Sequence, residues 1–269
     1  MESSKTNMGI KYPVQTLEKA LEVISIMKDG PYDGMRLKDL SEKLGLGKST
    51  VHRILKTLVA YGYVEQPAES KKYRLGWKFF EVGSVIPRQR NLNNMDLKVL
   101  WELCEKYEET VNLGIRIYNK VAIIAKVDPQ KVLFKAGPYL GEHEPLHATA
   151  LGKVLLSDLE DNEITKIIGN NSYEKYTDNT VANFEQLKEQ LNQVRENGYA
   201  VDREELTVGL TCIAMPVYNY NNEIIAGLSV SGPTFRLYPD KILNCKEGLK
   251  KSCEELSVFF GSINGQQTS

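Results

Sequence analysis

The chain has 269 residues, and its 34 basic and 35 acidic side chains nearly cancel to a net charge of −1. That length supports two domains with separate cores; no apolar run approaches spanning length and the leading MESSKTNMGIKYP has no apolar core, which speaks for a cytoplasmic protein. Cys104, Cys212, Cys245 and Cys253 show no CxxC pairing and no zinc or disulfide spacing.

Charge is unevenly placed. Residues 1–80 carry 14 Lys and Arg against 9 Asp and Glu (net +5), and residues 81–269 carry 20 against 26 (net −6). A basic head on an acidic body suits a chain in which only the head meets phosphate. Leu17, Leu21, Ile24 and Met27 recur at helical spacing and predict a first helix. Leu37, Leu40 and Leu44 mark a shorter one, and Gly45 and Gly47 allow a sharp turn after it. In the next helix Val51, Leu55 and Leu58, widened by Ile54, form a core stripe. The positions left over are Lys48, Ser49, Thr50, His52, Arg53 and Lys56. All can donate hydrogen bonds and none is acidic, which fits a helix lying in a major groove. Lys48-Ser49-Thr50 opens that helix, where a hydroxyl can cap backbone N–H groups or meet a phosphate.

Tyr61 to Glu65 and Lys72 to Leu75 then read as a two-stranded wing with Lys71, Lys72 and Arg74 on its return. A charged helix face is often merely solvated. Here turn, polar helix start, carboxylate-free face and basic wing occur together, and the conjunction reads as a winged helix-turn-helix over residues 1–76, its helix pair at about 37–56.

Residues 77–93 read as a connector, helical at first, with a break near Ile86 set by Pro87. Its aromatic residues either pack on the first domain or meet a second subunit. From residue 94 to 269 a second, α+β domain is expected. Leu97, Leu100, Trp101, Cys104 and Tyr107 stripe a helix; Val111, Leu113, Ile115 and Ile117 alternate as a half-buried strand; VAIIAKV is its hairpin partner. Residues 132–135 read as a short strand and 137–145 as a loop. Helices follow near 149–158, 160–168 and 184–197, strands at 211–218 and 223–231, and a helix at about 239–261. Strands first and last around helices suggest an antiparallel sheet.

Two segments there look like a site. In the run Leu146 to Lys153, Thr149 precedes a helix opened by Ala150, Leu151 and Gly152; such a start attracts an anion, although Thr149 can simply cap it and Gly152 simply allow close packing. On the late strands Leu210, Cys212 and Ala214 share one side, Ser229 and Ser231 share another, and Asp202 ends the strand before. Buried serines need partners, and a small polar ligand would supply them. His147, Cys212 and Asp202 can also be read as a nucleophile set, but a cysteine on an apolar strand is usually inert packing, and an enzyme would leave the first eighty residues without a role.

At these residues the chain resembles the IclR (isocitrate lyase regulator) family of bacterial transcription factors. The likeness runs through KSTVHRILKTL, YRLGWKFFEVGS, PLHATALGKVLL, Gly198 to Asp202 and on through Glu205 to Gly209, CIAMPV and LSVSGP, in that order over nearly the whole length. The resemblance implies a carboxy-terminal effector domain with a GAF/PAS-like sheet, a linker helix, homodimers that often pair into tetramers, and control of catabolic operons, mostly by repression, through a small organic acid. It places the ligand at Ala150, Leu151, Asp202, Leu210, Cys212, Ser229 and Ser231; Thr149 is added for its hydroxyl and Gly152 for its place in the helix start. No cofactor or metal is implied. Arg53 is expected to read a base edge with Thr50 and His52 beside it, while Lys48, Lys56, Lys71, Lys72 and Arg74 meet phosphates of double-stranded operator DNA.

Overall fold

A computed structural model describes residues 12–86, 97–130, 137–169 and 173–261. The chain divides into two compact units, residues 1–94 and 95–269. In the first, α1 (Gln15–Lys28), α2 (Leu37–Leu44) and α3 (Lys48–Ala60) surround a core of Val23, Met27, Leu40, Val51, Ile54 and Leu55. Three short antiparallel strands, β1 (Met35–Arg36), β2 (Val64–Glu65) and β3 (Lys72–Leu75), close it in the order β1-β3-β2 and add Met35, Val64 and Tyr73. Helix α3 runs two residues past Leu58, the last position of its expected stripe.

The stripe expected on α1 is corrected. Leu17 and Leu21 are more than half exposed, and the inward face is Ala20, Val23 and Met27. The turn between α2 and α3 needs one left-handed residue. Gly45 has φ 62° and ends α2, while Gly47 is extended and precedes α3. No side chain caps α3, so the Ser49 and Thr50 hydroxyls are not used as caps. The connector begins with α4 (Lys78–Gly83), where Phe79 packs edge-on against Tyr63 while Trp77 and Phe80 stay exposed. The break at Pro87 and the strand at 132–135 lie outside the described residues.

The second unit is a six-stranded antiparallel sheet with helices on both faces. It contains α5 (Lys98–Tyr107), β4 (Thr110–Ile117), β5 (Lys120–Val127), β6 (His143–Pro145), α6 (Ala150–Leu156), α7 (Asp161–Ile168), α8 (Phe184–Asn197), β7 (Ala200–Arg203), β8 (Leu210–Tyr218), β9 (Ile224–Pro233) and α9 (Pro239–Phe259). The strand order is β6-β5-β4-β9-β8-β7. On one face Leu100, Leu103, Cys104 and Tyr107 of α5 and Ile242, Cys245, Leu249 and Leu256 of α9 pack on Val111, Leu113, Ile213 and Leu228. On the other, Leu151, Val154 and Leu155 of α6 join Ile164 of α7, Leu187 and Leu191 of α8, and Val121 and Ile123 of β5.

Three expectations change here. Strand β4 is not half-buried: Thr110 to Gly114 are buried without interruption, because helices cover both sheet faces. In α5 the buried stripe takes in Leu103, while Leu97 and Trp101 are substantially exposed. The loop expected at 137–145 ends in the edge strand β6, paired with β5 through Val121 and Glu144.

Candidate DNA-reading helix and ligand cavity

The surface of α3 follows from its period. With Val51 and Leu55 fully buried and Ile54 nearly so, Lys48, Ser49, Thr50, Arg53 and Lys56 are exposed and His52 is partly so. The first turn contains no acidic residue and the N-cap is a glycine without a side chain; the Thr50 N–H donates to the Gly47 carbonyl at 3.0 Å, which leaves the helix start at Lys48 and Ser49 uncapped on a cationic surface.

The wing differs from expectation. Lys71 is exposed, but Lys72 pairs with Asp33, and the Arg74 guanidinium donates through Nε and Nη2 to Glu65 Oε2 at 3.2 and 3.1 Å. Neither is a free phosphate ligand in this arrangement. Each would have to trade a carboxylate for DNA.

In the second unit the register of the sheet builds a cavity. Ser231 stands opposite Thr110 on one side and Cys212 on the other, and Cys212 faces Asp202. In the next row Ser229 lies between Asn112 and Ala214. One row further come Gly114 and Gly227, whose lack of Cβ admits Leu151 of α6: a Cβ there would lie 3.1 and 3.0 Å from its methyls. Small and polar residues thus face the start of α6 where large apolar ones would fill the space.

The resulting cavity is lined by Asn112, Gly137, Pro138, Glu144, Thr149, Ala150, Leu151, Asp202, Leu206, Leu210, Cys212, Ser229 and Ser231. It encloses only about 10 Å³, near the room of a single water. An outer cleft of about 630 Å³ shares Gly137, Pro138, Glu144, Leu206 and Leu210 with it, so those five residues form the partition between cavity and solvent.

Every expected ligand residue except Gly152 borders this cavity. Gly152 serves packing: a Cβ there would sit 2.1 Å from the Leu146 carbonyl oxygen. Thr149 is the N-cap of α6, accepting from Gly152 N at 3.0 Å and donating to Pro145 O at 2.9 Å, so its hydroxyl proton is already committed. Asn112 and Glu144 were not anticipated. Asn112 is 1% exposed; its Nδ2 donates to Ser231 Oγ at 3.4 Å and its Oδ1 is buried without a partner. Ser229 Oγ donates to the Asn112 carbonyl at 3.5 Å.

Two carboxyls share the space. Asp202 Oδ1 accepts from Glu205 N at 2.7 Å, but burial pushes the group up to about 7. Glu144 is likewise pushed up to about 7, by burial first and then by the Asp202 charge. Burial also raises the Cys212 thiol well above its ordinary value, which keeps it protonated. His147 is not on the cavity wall: Nε2 meets the Glu174 carbonyl at 3.0 Å, between Tyr173 and Tyr176. The nucleophile set that the sequence also allows therefore has no thiolate, and its histidine stands apart from the cysteine. Among the described residues no cluster could hold a metal ion, and no helix is long and apolar enough to cross a membrane.

A helix-turn-helix with a bare cationic face, carried on the same chain as a helix-covered antiparallel sheet domain, defines a DNA-binding transcriptional regulator. The family model for the carboxy-terminal domain of bacterial transcriptional regulator IclR matches residues 87–258, and that for the IclR helix-turn-helix domain matches 16–68. The chain belongs to the IclR family, whose members regulate transcription and are not enzymes.

Among relatives, the HTH-type transcriptional regulator XynR of Escherichia coli is 35% identical over 248 residues, 92% of this chain and 98% of that one. The transcriptional repressor IclR of the same species is 30% identical over 252 residues, 93% and 91% of the two chains. An IclR regulator from Alicyclobacillus acidocaldarius superposes with a TM-score of 0.79 at 25% identity, covering 93% of this chain and all of that one. An IclR homologue from Microbacterium hydrocarbonoxydans, solved with 4-hydroxybenzoate, shares the fold at a TM-score of 0.75 and 20% identity over 91% and 98% of the chains.

Proposed function

We propose that this regulator represses a catabolic operon, and that a small organic acid bound in the carboxy-terminal cavity sets its affinity for the operator. One observation carries the reading: five strands and the start of α6 turn small or polar side chains toward a single cavity that a cored domain would otherwise fill. The ligand's carboxylate meets the free N–H groups at Ala150 and Leu151, with Ser229, Ser231 and Asp202 beside it. The relative named a repressor and the homologue holding an aromatic acid support the same class of behaviour.

On DNA, a homodimer sets its two α3 helices in successive major grooves of a roughly palindromic site, with pairing of dimers into a tetramer as a further step. Arg53, Thr50 and His52 face base edges. Lys48, Lys56 and Lys71 face phosphates, while Lys72 and Arg74 do so by leaving their carboxylate partners. The acid alters operator affinity only by favouring one arrangement of the dimer over another.

The test begins with small carboxylates screened by thermal shift on the full chain, followed by DNA binding with and without the active compound. A stabilising acid should change the affinity for operator DNA, and Ser229→Ala/Ser231→Ala should abolish the response. A double variant that responds as the parent does would remove the serines from the site. An acid that stabilises the protein without altering DNA binding would remove the regulatory link.

A further inference from the structure

The solvent face of the small sheet is a row of cations with its own counter-charges. Tyr73 is buried in the core of the first unit, so its neighbours on β3, Lys72 and Arg74, turn the other way. Arg36 stands opposite Lys72, and Glu65 stands opposite Arg74. Glu65 receives both Nε and Nη2 of Arg74 on one carboxylate oxygen. Asp33 reaches Lys72 from the turn before β1.

That turn is shaped to bring it there. Gly34 N donates to Pro31 O at 2.9 Å, and Gly34 takes φ 91° flat against β3. A Cβ on it would lie 2.5 Å from the Tyr73 carbonyl oxygen, so only glycine allows the approach. Backbone geometry thus carries Asp33 to Lys72, and strand register carries Glu65 to Arg74. Lys71, one residue away, has no such partner among the described residues.

As stabilising contacts, exposed pairs of this kind count for little. Toward DNA they count for more. A cation already beside a carboxylate brings no net charge to a phosphate and displaces no counterion from it. It adds neither affinity nor salt dependence until the pair opens.

Resting on the reading of the wing given above, we infer that Asp33 and Glu65 are positioning residues of the DNA interface, each holding one wing cation off phosphate and so lowering affinity for duplex of any sequence. Asp33 acts through Lys72, and Glu65 acts through Arg74. Lys71 and the cations of α3 therefore meet DNA first.

The test uses the full chain and a short labelled duplex of random sequence, followed by fluorescence anisotropy between about 50 and 200 mM salt. At the low end Asp33→Asn should bind about two- to fivefold tighter, and its log–log salt slope should steepen by about 0.9. Glu65→Gln should do the same. Both gains should shrink as salt rises. Glu22→Gln removes an exposed carboxylate from α1, makes the same change in net charge, and should leave affinity and slope near those of the parent. Lys72→Ala should cost more in the Asp33→Asn background than in the parent, and Arg74→Ala more in the Glu65→Gln background. Far-ultraviolet circular dichroism and melting curves confirm that each variant is folded.

Unchanged affinity and slope in both folded carboxylate variants would overturn the inference, while weakening by Lys71→Ala would leave the DNA reading standing. Equal losses for each cation variant in its two backgrounds would also overturn it, because the carboxylate would then act as a bare negative charge and not through its cation. So would an equal gain from Glu22→Gln. A gain at one pair alone upholds that carboxylate and removes the other. A parent chain with no salt-dependent binding to duplex would overturn the DNA reading and the inference together.

Discussion

The Glu205 backbone N–H donates to Asp202 Oδ1 at 2.7 Å, while the Glu205 side chain holds Lys153, which itself comes from α6. Lys153 Nζ also donates to Val201 O at 3.0 Å. The aspartate of the cavity is thus tied by one turn to a buried ion pair that rises from the same helix whose start borders the ligand space.

That pair is nearly sealed from water, with side-chain exposures of 1% and 6%. Removing one partner leaves the other charge buried alone. Lys153→Met or Glu205→Leu should each cost about 3–5 kcal/mol, and Lys153→Met/Glu205→Leu together should cost clearly less than the sum. Urea midpoints of the three proteins decide it, and strict additivity would speak against a direct pair.

The two raised carboxyls give stability a pH dependence of known sign. Below about pH 4 both are protonated whether the chain is folded or not. Between about 4 and 7 the folded protein keeps protons that the unfolded chain has released, so stability falls as pH rises and the loss is complete above about 7. Relative to the parent, Glu144→Gln should therefore gain melting temperature at about pH 8 and gain little at about pH 4.5. Parallel melting curves across that range would contradict it.

Two of the three cationic positions on the wing, Lys71 and Lys72, should separate on DNA. Lys71→Ala is expected to weaken binding to all duplexes and to reduce the salt slope by about one unit. Lys72→Ala should have a smaller effect, because its cation is already held by Asp33. Arg53→Ala should cost about 1–3 kcal/mol on the preferred site and little on random DNA. Titrations on both duplexes at several salt concentrations provide the comparison, and equal losses for Arg53→Ala would exclude a base contact.

At the start of α6, Gly152→Ala should destabilise by about 3 kcal/mol or prevent folding, given the Leu146 backbone in its path. Gly83→Ala is the control. Nothing lies within 4 Å of its Cβ position, and the change should shift stability by less than about 1 kcal/mol. Thermal melts of the two proteins check the contrast.

What the sequence revealed depended on how local the cause was. The face of α3 is set by a 3.6-residue period and a nearby glycine, so Val51, Ile54 and Leu55 sorted themselves from Lys48, Arg53 and Lys56 without help from the rest of the chain. Helix α1 did not yield to the same reasoning. It has apolar residues on two faces, and periodicity alone does not say whether Leu17 and Leu21 or Val23 and Met27 turn inward. Asn112 was missed for a different reason. Polar residues alternating along a strand usually face water, but β4 is central in a sheet covered on both sides. Its Asn112-Leu113-Gly114 is mirrored by Gly227-Leu228-Ser229 on β9, and that match of small and polar residues was the available signal. Glu144 had none, because its strand is three residues long and only the fold brings it near Asp202.

The irregular register between Leu113 and Gly114 has an effect on how the hairpin can tolerate change. Leu113 pairs with Ala125 but Gly114 pairs with Ile123, so Ile124 is an extra residue, and beyond it the hairpin changes allegiance. Ala125 and Val127 serve the layer of α5 and α9, whereas Val121 and Ile123 serve the layer of α6. A deletion at Ile124 would therefore remove the bulge without shifting the strand: Ile123 would still meet Gly114 and Ala125 would still meet Leu113, so each half would keep the layer it serves and only the local bend and twist would be lost.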